Sequence, residues 1–473
     1  MIPSALPTNI RRPGAFHQFI PGLAGGLVAL DTRVAIAAIK SSAGTLAVAT
    51  PVQIFDESDA DTKLGKGSEA ALMARTAFAQ ARRSGSQPQI WACAIAAPAG
   101  AAAVQTITTT VTTALAGNVV LRIAGRTLTV GVSAGDAQNT IAAAIEAAID
   151  TAAAEGNLPV TASVATNVVT CTHANLGVNG NDVDYEIVSY PSGVTVATTQ
   201  TVAGSGVVDI TAALDALMGA DFNAVCIANH LAADTADVLA NLVTAWGMES
   251  KRWRHIFIGE TGSVSTANGL ADDIGNKGAL VISCENSPSL PGELAVACAV
   301  AAVGKPRPNA NLNDEELVIY PPPAASVYTN AEIESLLAGG CTPLMPTANG
   351  VDTRIVRLVT TQVLLNGATY DGLRDWAQSS TMAYIARQVD IGWAQKFHQE
   401  LLDDEVLQRA RDMVIEIHEA AQTARILRDV DEFKAQILVE ESTESPGRIV
   451  LVNPFRPAGP VNQLDALHTH FYL

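Results

Sequence analysis

The run FNAVCIANHLAADTADVLANLVTAWGMESKRWRHIFIG, from Phe222 to Gly259, decides how this chain folds. It opens on the buried-strand text FNAVCIAN, continues into DTADVLANLVTAWGMES, a helix with Asp at its start, and returns to strand at HIFIG. The same alternation goes on downstream. VSTANGLADDIG reads as a helix, GALVISC as a strand, and PGELAVACAVAAVG as a helix with Pro and Glu in its first turn. Strands alternating with helices on short loops predict a mainly parallel, doubly wound sheet. Upstream, VAIAAIK (Val34–Lys40), TLAVATPVQI (Thr45–Ile54) and PQIWACAIA (Pro88–Ala96) are strand-like, with the helical GSEAALMARTAFAQARRSG between the last two and a stop at Gly85. Residues 34–103 and 207–365 therefore read as one α/β core domain.

Between them the composition changes. From Val104 to Gly206 there are nine charged residues and no Lys, Phe or Trp, and Thr, Ala and Val dominate. NVVLRIAGRTLTVGVS and VTASVATNVVTCT read as strands with turns at Ala124-Gly125 and Ala165–Asn167, and AQNTIAAAIEAAID as a helix between them. This βαβ-type, β-rich stretch between Gly-rich joints is expected to be an inserted, peripheral α+β domain at 104–206.

Both ends read as arms. Residues 1–33 are Pro-rich with little helical periodicity, and no apolar stretch follows Arg11-Arg12 as a secretory signal would need. From 366 to 441 the chain is strongly helical. Val406, Ala410, Met413, Val414 and Ile417 make a one-sided apolar stripe, and Arg409, Arg411 and Arg425 lie on or just beyond that helix. A hairpin and a terminal arm occupy 442–473. Ile449–Val452 is strand-like, and in Leu467–Leu473 the residues Leu467, Thr469, Phe471 and Leu473 fall on one side.

Composition narrows the function. Only 16% of residues are charged against 48% hydrophobic, so part of the surface is expected to lie against other protein. The net charge of −18 argues against a nucleic-acid partner. No unbroken apolar segment is long enough to span a bilayer, so no membrane insertion is expected. No signature of catalysis stands out. GETGSVS (Gly259–Ser265) sits where anions bind but lacks the lysine of a nucleotide loop. GxSxG is absent. His468 and His470 could share a metal but have no carboxylate or thiol cluster nearby in sequence, Glu315-Glu316 and Asp272-Asp273 read as solvated carboxylates, and Arg82-Arg83 as surface or interface charge. The six cysteines are scattered in apolar runs, as buried thiols are. No catalytic, cofactor or metal residue is assigned.

Four stretches carry a resemblance: IPSALPTNIRRPGAFHQFI, ENSPSLPGELAVACAVA, PLMPTANGVDTRIVRLVTTQ and FRPAGPVNQLDALHTHFYL. In that order they resemble the contractile tail sheath proteins of bacteriophages, particularly the Mu-like type. The resemblance implies a non-enzymatic core of subtilisin-like topology and a virion protein assembled in the host cytoplasm. It implies stacked rings of subunits around an inner tail tube, with baseplate and tail terminator proteins as further partners. It also implies arms that exchange strands between subunits, which would make Leu467, Thr469, Phe471, Leu473, Ile449 and Leu451 intersubunit contacts. The helical domain would then face the tube, with Arg409, Arg411 and Arg425 as candidate contacts. The alternatives are the sheath of an R-type bacteriocin or related contractile injection machine, and an α/β hydrolase or nucleotide-binding enzyme using the Gly259–Ser265 turn.

Overall fold

Runs such as AVCI and ALVIS offer water no polar face, so they are stable only where both sides of the strand are covered. In the computed structural model, which describes residues 27–397, 400–444 and 447–459, they lie inside a layered α/β sheet. The described residues form two compact units, Leu30–Ala383 and, with 27–29, Tyr384–Ala458.

The larger unit starts with β1 (Arg33–Ile39), β2 (Pro51–Ile54), α1 (Glu57–Leu64), α2 (Glu69–Ser84) and β3 (Gln89–Ile95). The insert supplies β4 (Val104–Val111), β5 (Gly117–Ile123), β6 (Arg126–Val132), α3 (Gln138–Ala154), β7 (Val160–Ala165), β8 (Val168–His173), β9 (Tyr185–Ser189) and β10 (Val194–Val202). The chain returns through α4 (Thr211–Ala216), β11 (Ala224–Ile227), α5 (Thr235–Ala245), β12 (His255–Glu260), α6 (Val264–Ile274) and β13 (Ala279–Ser283). Then come α7 (Pro291–Val303), β14 (Glu316–Leu317), α8 (Asn330–Gly339), β15 (Cys341–Pro346), β16 (Thr353–Ile355) and the short pair β17 (Leu364–Leu365) and β18 (Ala368–Thr369).

Nine of these strands make one sheet in the order β14-β16-β15-β13-β12-β11-β1-β3-β2. The six from β15 to β3 run parallel, and the outer strands close both edges antiparallel. Alternate residues point to opposite faces. Val34, Ile36, Cys226, Phe257 and Leu280 pack with α2 and α7, while Ala35, Ala37, Val225, Ile258 and Val281 pack with α4, α5, α6 and α8. Every residue of α7 is buried, which explains a helix with apolar side chains all round.

The strands of the insert pair antiparallel throughout, in a four-stranded sheet β10-β4-β8-β7 and a three-stranded sheet β6-β5-β9. The βαβ crossover read from the sequence is therefore not formed. After α3 the chain turns at Thr166 and Asn167, and β7 pairs with its immediate successor β8 instead of lying beside an earlier strand. Ile141, Ile145 and Ile149 of α3 close the core of the insert, which also takes in Leu72 of α2 and Leu290.

The smaller unit contains the residues of α9 (Trp376–Lys396) from Tyr384 onward, α10 (Asp404–Thr423), β19 (Leu427–Arg428), α11 (Val430–Phe433), β20 (Leu438–Glu441), β21 (Ile449–Val452) and β22 (Arg456–Pro457). Asp403 caps α10 by accepting the Val406 N–H at 2.8 Å. The stripe Val406, Ala410, Met413, Val414 and Ile417 is buried, with Ile449 and Leu451 packed against it.

Candidate functional site

The hairpin β20–β21 has two chemically different faces. Leu451 pairs with Val439 and Ile449 with Glu441. Val439, Ile449 and Leu451 turn inward to α10, whereas Leu438, Val450 and Val452 are exposed, Val452 at 51%. Among the described residues no third strand pairs with this hairpin, and it also carries an exposed apolar face. The residues after it are tied down. β22 pairs with β19, Arg456 reaches Asp429 at 3.1 Å, and the Ala458 N–H donates to Ile426 O at 2.9 Å. Leu467, Thr469, Phe471, Leu473, His468 and His470 lie outside the described residues.

The three arginines differ. Arg409 pairs with Glu400 at 2.9 Å and lies over the Phe397 ring. The Arg411 guanidinium is engaged within its own unit, donating to the carbonyls of Ile437 at 2.9 Å and Lys434 at 3.2 Å. Arg425 is exposed in a left-handed turn after α10.

The other sequence candidates become structural. Glu315 pairs with Lys305 at 2.6 Å, Glu316 with Arg83, and Arg82 with Glu57 at 2.8 Å. Asp272 and Asp273 are exposed on α6. In the Gly259–Ser265 turn a side chain of the chain itself supplies the anion, since Glu260 Oε1 accepts the Gly262 N–H at 2.6 Å. All six thiols are free and buried, and burial pushes Cys93 up to about 11 and Cys284 up to about 12.

The densest charge chemistry lies where the insert meets the sheet, at residues not singled out from the sequence. Two docks form there. At the start of α7, Glu293 is 2% exposed and accepts Arg126 Nη2 at 2.7 Å, Arg126 Nη1 at 3.2 Å, Thr76 Oγ1 at 2.9 Å and the Leu290 N–H at 3.0 Å. Arg126 comes from the insert, just after the Ala124-Gly125 turn. Gly125 has φ +75°, and a Cβ there would collide with the Tyr320 ring, so that turn needs glycine.

The second dock gathers at the carboxyl ends of β1, β11 and β12. Asn175 of the insert donates to Lys40 O at 3.0 Å and accepts the Glu69 N–H at 3.2 Å. Asn179 Nδ2 donates to Glu69 Oε1 at 3.0 Å. His230 stands between two carboxylates, Nδ1 to Glu260 at 2.9 Å and Nε2 to Asp182 of the insert at 3.1 Å. Burial favours the neutral ring, but hydrogen bonds and charge from Asp182 and Glu260 outweigh it and raise the pKa to about 10. Burial raises Glu69 to about 7 against the opposing bond from Asn179. The only sequence signal was position, polar residues at the ends of parallel strands, where α/β folds place their sites.

A family model described as the phage tail sheath protein central domain matches residues 203–361. The chain carries a phage tail sheath central domain. The matched stretch runs from the end of the insert through β16. The chain is also similar, at 24% identity over 95% of its length and 96% of the relative's, to the Mu-like prophage FluMu tail sheath protein of Haemophilus influenzae. The sheath tail protein of Desulfitobacterium hafniense shares the fold with a TM-score of 0.53, at 15% identity, over 94% of this chain and 97% of its own. That of Listeria innocua does so at 0.54 and 13% identity, over 92% and 94%. A chain of the anti-feeding prophage baseplate matches at 0.51 and 9% identity, over 98% of this chain and 100% of its own. These likenesses extend the shared fold over more than nine-tenths of this chain.

Proposed function

We propose that this chain is the sheath subunit of a contractile phage tail, a structural component of the virion and not an enzyme. The observation that carries this reading is the sheath central domain at 203–361 inside a collinear likeness to a Mu-like sheath protein. Subunits stack as rings around an inner tube, held between baseplate and terminator proteins, and contraction drives the tube through the host envelope. The core at 34–103 and 207–365 has the subtilisin-like topology, the insert at 104–206 is peripheral, the unit at 366–441 is proximal to the tube, and the arms at 1–33 and 442–473 link neighbours.

Within that reading the β20–β21 hairpin is the acceptor and the chain end the donor. Leu467, Thr469, Phe471 and Leu473 of one subunit add to the hairpin of another, in register with Ile449 and Leu451. The pairing of β22 with β19 keeps the chain anchored as far as Ala458, so the swing of the arm begins beyond it. Such a heterologous contact propagates as a ring or filament. Arg409, Arg411 and Arg425 remain the candidates for the tube. If each subunit gains ~400 Å² of buried apolar surface on contraction, about 10 kcal/mol is released without nucleotide hydrolysis.

The test is electron microscopy of the overexpressed full chain. Tubes or stacked rings are expected. A protein that stays a monodisperse monomer at every salt and concentration, while binding nucleotide or turning over a substrate, would overturn the proposal. Neighbouring capsid and portal genes would separate a phage from an injection machine of the anti-feeding prophage kind.

A further inference from the structure

The second dock of the insert is crowded with acid groups. Around His230 lie Asp182 from the insert, Glu260 at the end of β12, Glu69 at the start of α2, and Asp234 and Asn229 from its own connection. His173 at the end of β8 is held below its ordinary value by burial, and Cys341 beside Glu260 is pushed up to about 12, so neither adds charge at neutral pH. Glu69 is 8% exposed and Glu260 2% exposed. A second anion on Glu69 would be buried and would face Asp182. A neutral His230 would leave two carboxylates 2.9 Å and 3.1 Å from a ring that has one N–H to give.

We infer that the insert is held to the sheet by a proton-dependent latch, closed while Glu69 is a neutral acid and His230 an imidazolium, and loosened by loss of either proton. Opening the latch exposes both groups to water, where they return to ordinary proton affinities. The Glu69 pKa is raised from 4.5 to about 7, so its contribution is complete below 4.5 and is lost as pH rises through about 7. The His230 pKa is raised from 6.5 to about 10, so its contribution is complete below 6.5 and is lost as pH rises through about 10. Both act in the same direction, in separate windows. Between about pH 5 and 6.5 the opening equilibrium grows on the order of twentyfold through Glu69, and between about pH 7.5 and 9 by a similar factor through His230. The Arg126–Glu293 dock, at the start of α7, contains neither Glu69 nor His230 and serves as the internal reference.

The experiment is hydrogen exchange of the full chain, corrected for intrinsic pH dependence, followed at the amides of 173–182 and at the start of α7. In the wild type, opening at 173–182 should rise roughly twentyfold in each window while α7 stays flat. Glu69→Gln should flatten only the lower window and His230→Gln only the upper. A wild-type latch flat across both windows overturns the inference, and so does Glu69→Gln that keeps the lower step. Should either variant fail to fold, the wild-type series alone decides.

Discussion

Arg126→Met is the sharpest test of how the insert is joined to the α/β core. Methionine keeps much of the apolar stem and removes both donors to Glu293. That carboxylate is 2% exposed and would keep only Thr76 Oγ1 and the Leu290 N–H. Removing one partner of a buried ion pair costs about 3–5 kcal/mol, because the remaining charge stays desolvated. The expected loss is therefore about 3–5 kcal/mol in the larger unit, read by urea unfolding and by exchange protection of α7 and β6. Glu293→Gln in the same background replaces the stranded charge by an amide that still accepts from Thr76, and it should recover most of the loss. An Arg126→Met variant within about 1 kcal/mol of wild type, or a double variant no better than the single, would refute the reasoning. The same geometry changes what excision of the insert should do. The Gly-rich joints invite replacement by a short linker, but excision takes Arg126, Asn179 and Asp182 together. Glu293, Glu69 and His230 then lose those partners. A bare deletion should unfold the unit, and one that also carries Glu293→Gln, Glu69→Gln and His230→Gln should fold better.

Three further outcomes are expected. Gly125→Ala should cost more than about 1 kcal/mol in a thermal melt, since it adds a Cβ against Tyr320 at a positive φ. Leu451→Ala should destabilise the smaller unit by about 2 kcal/mol or more, whereas Val450→Ser on the outer face of the hairpin should leave the melt unchanged and weaken polymerisation, read by sedimentation. Deleting Asp465–Leu473 should abolish tubes in micrographs while barely moving the melting temperature of the monomer; tubes of normal length would show that the arm is not the connector.

The sheet was legible because buried strands and amphipathic helices write different periods. FNAVCIAN, HIFIG and GALVISC became β11, β12 and β13 because no other placement hides their apolar side chains on both faces. The stripe on α10 was legible for the same reason. The pairing inside the insert was not, because Thr- and Val-rich strands with few charges carry no mark of their partner, and α3 suggested a crossover that local hairpins pre-empted. The docks were illegible for a deeper reason. Arg126 and Glu293 are 167 positions apart and Asp182 and His230 are 48 apart, and a lone charged residue reads as surface until its partner is found. Glu293 read well as a residue of the first helical turn, which it is, yet its main work is to hold the insert.

If the core domains rotate as rigid bodies during contraction, the way the insert is attached decides whether it moves with them. A single contact would let the insert pivot. Here there are two docks on different elements, one at the amino end of α7 and one at the carboxyl ends of β1, β11 and β12, backed by the apolar contacts of Leu72 and Leu290. Two separated points leave only rotation about the line that joins them, which those apolar contacts oppose. Removing Arg126 from its dock should cost about 3–5 kcal/mol, the same order as the ~10 kcal/mol that a subunit would gain if ~400 Å² of apolar surface were newly buried. Both docks would oppose the strain of such a rotation, so the insert should turn with the sheet as one body while Glu69 and His230 keep their protons. As pH rises, Glu69 is the first group of the second dock to lose its hold and His230 the next, and the same lever would then act about one point and transmit less of the rotation.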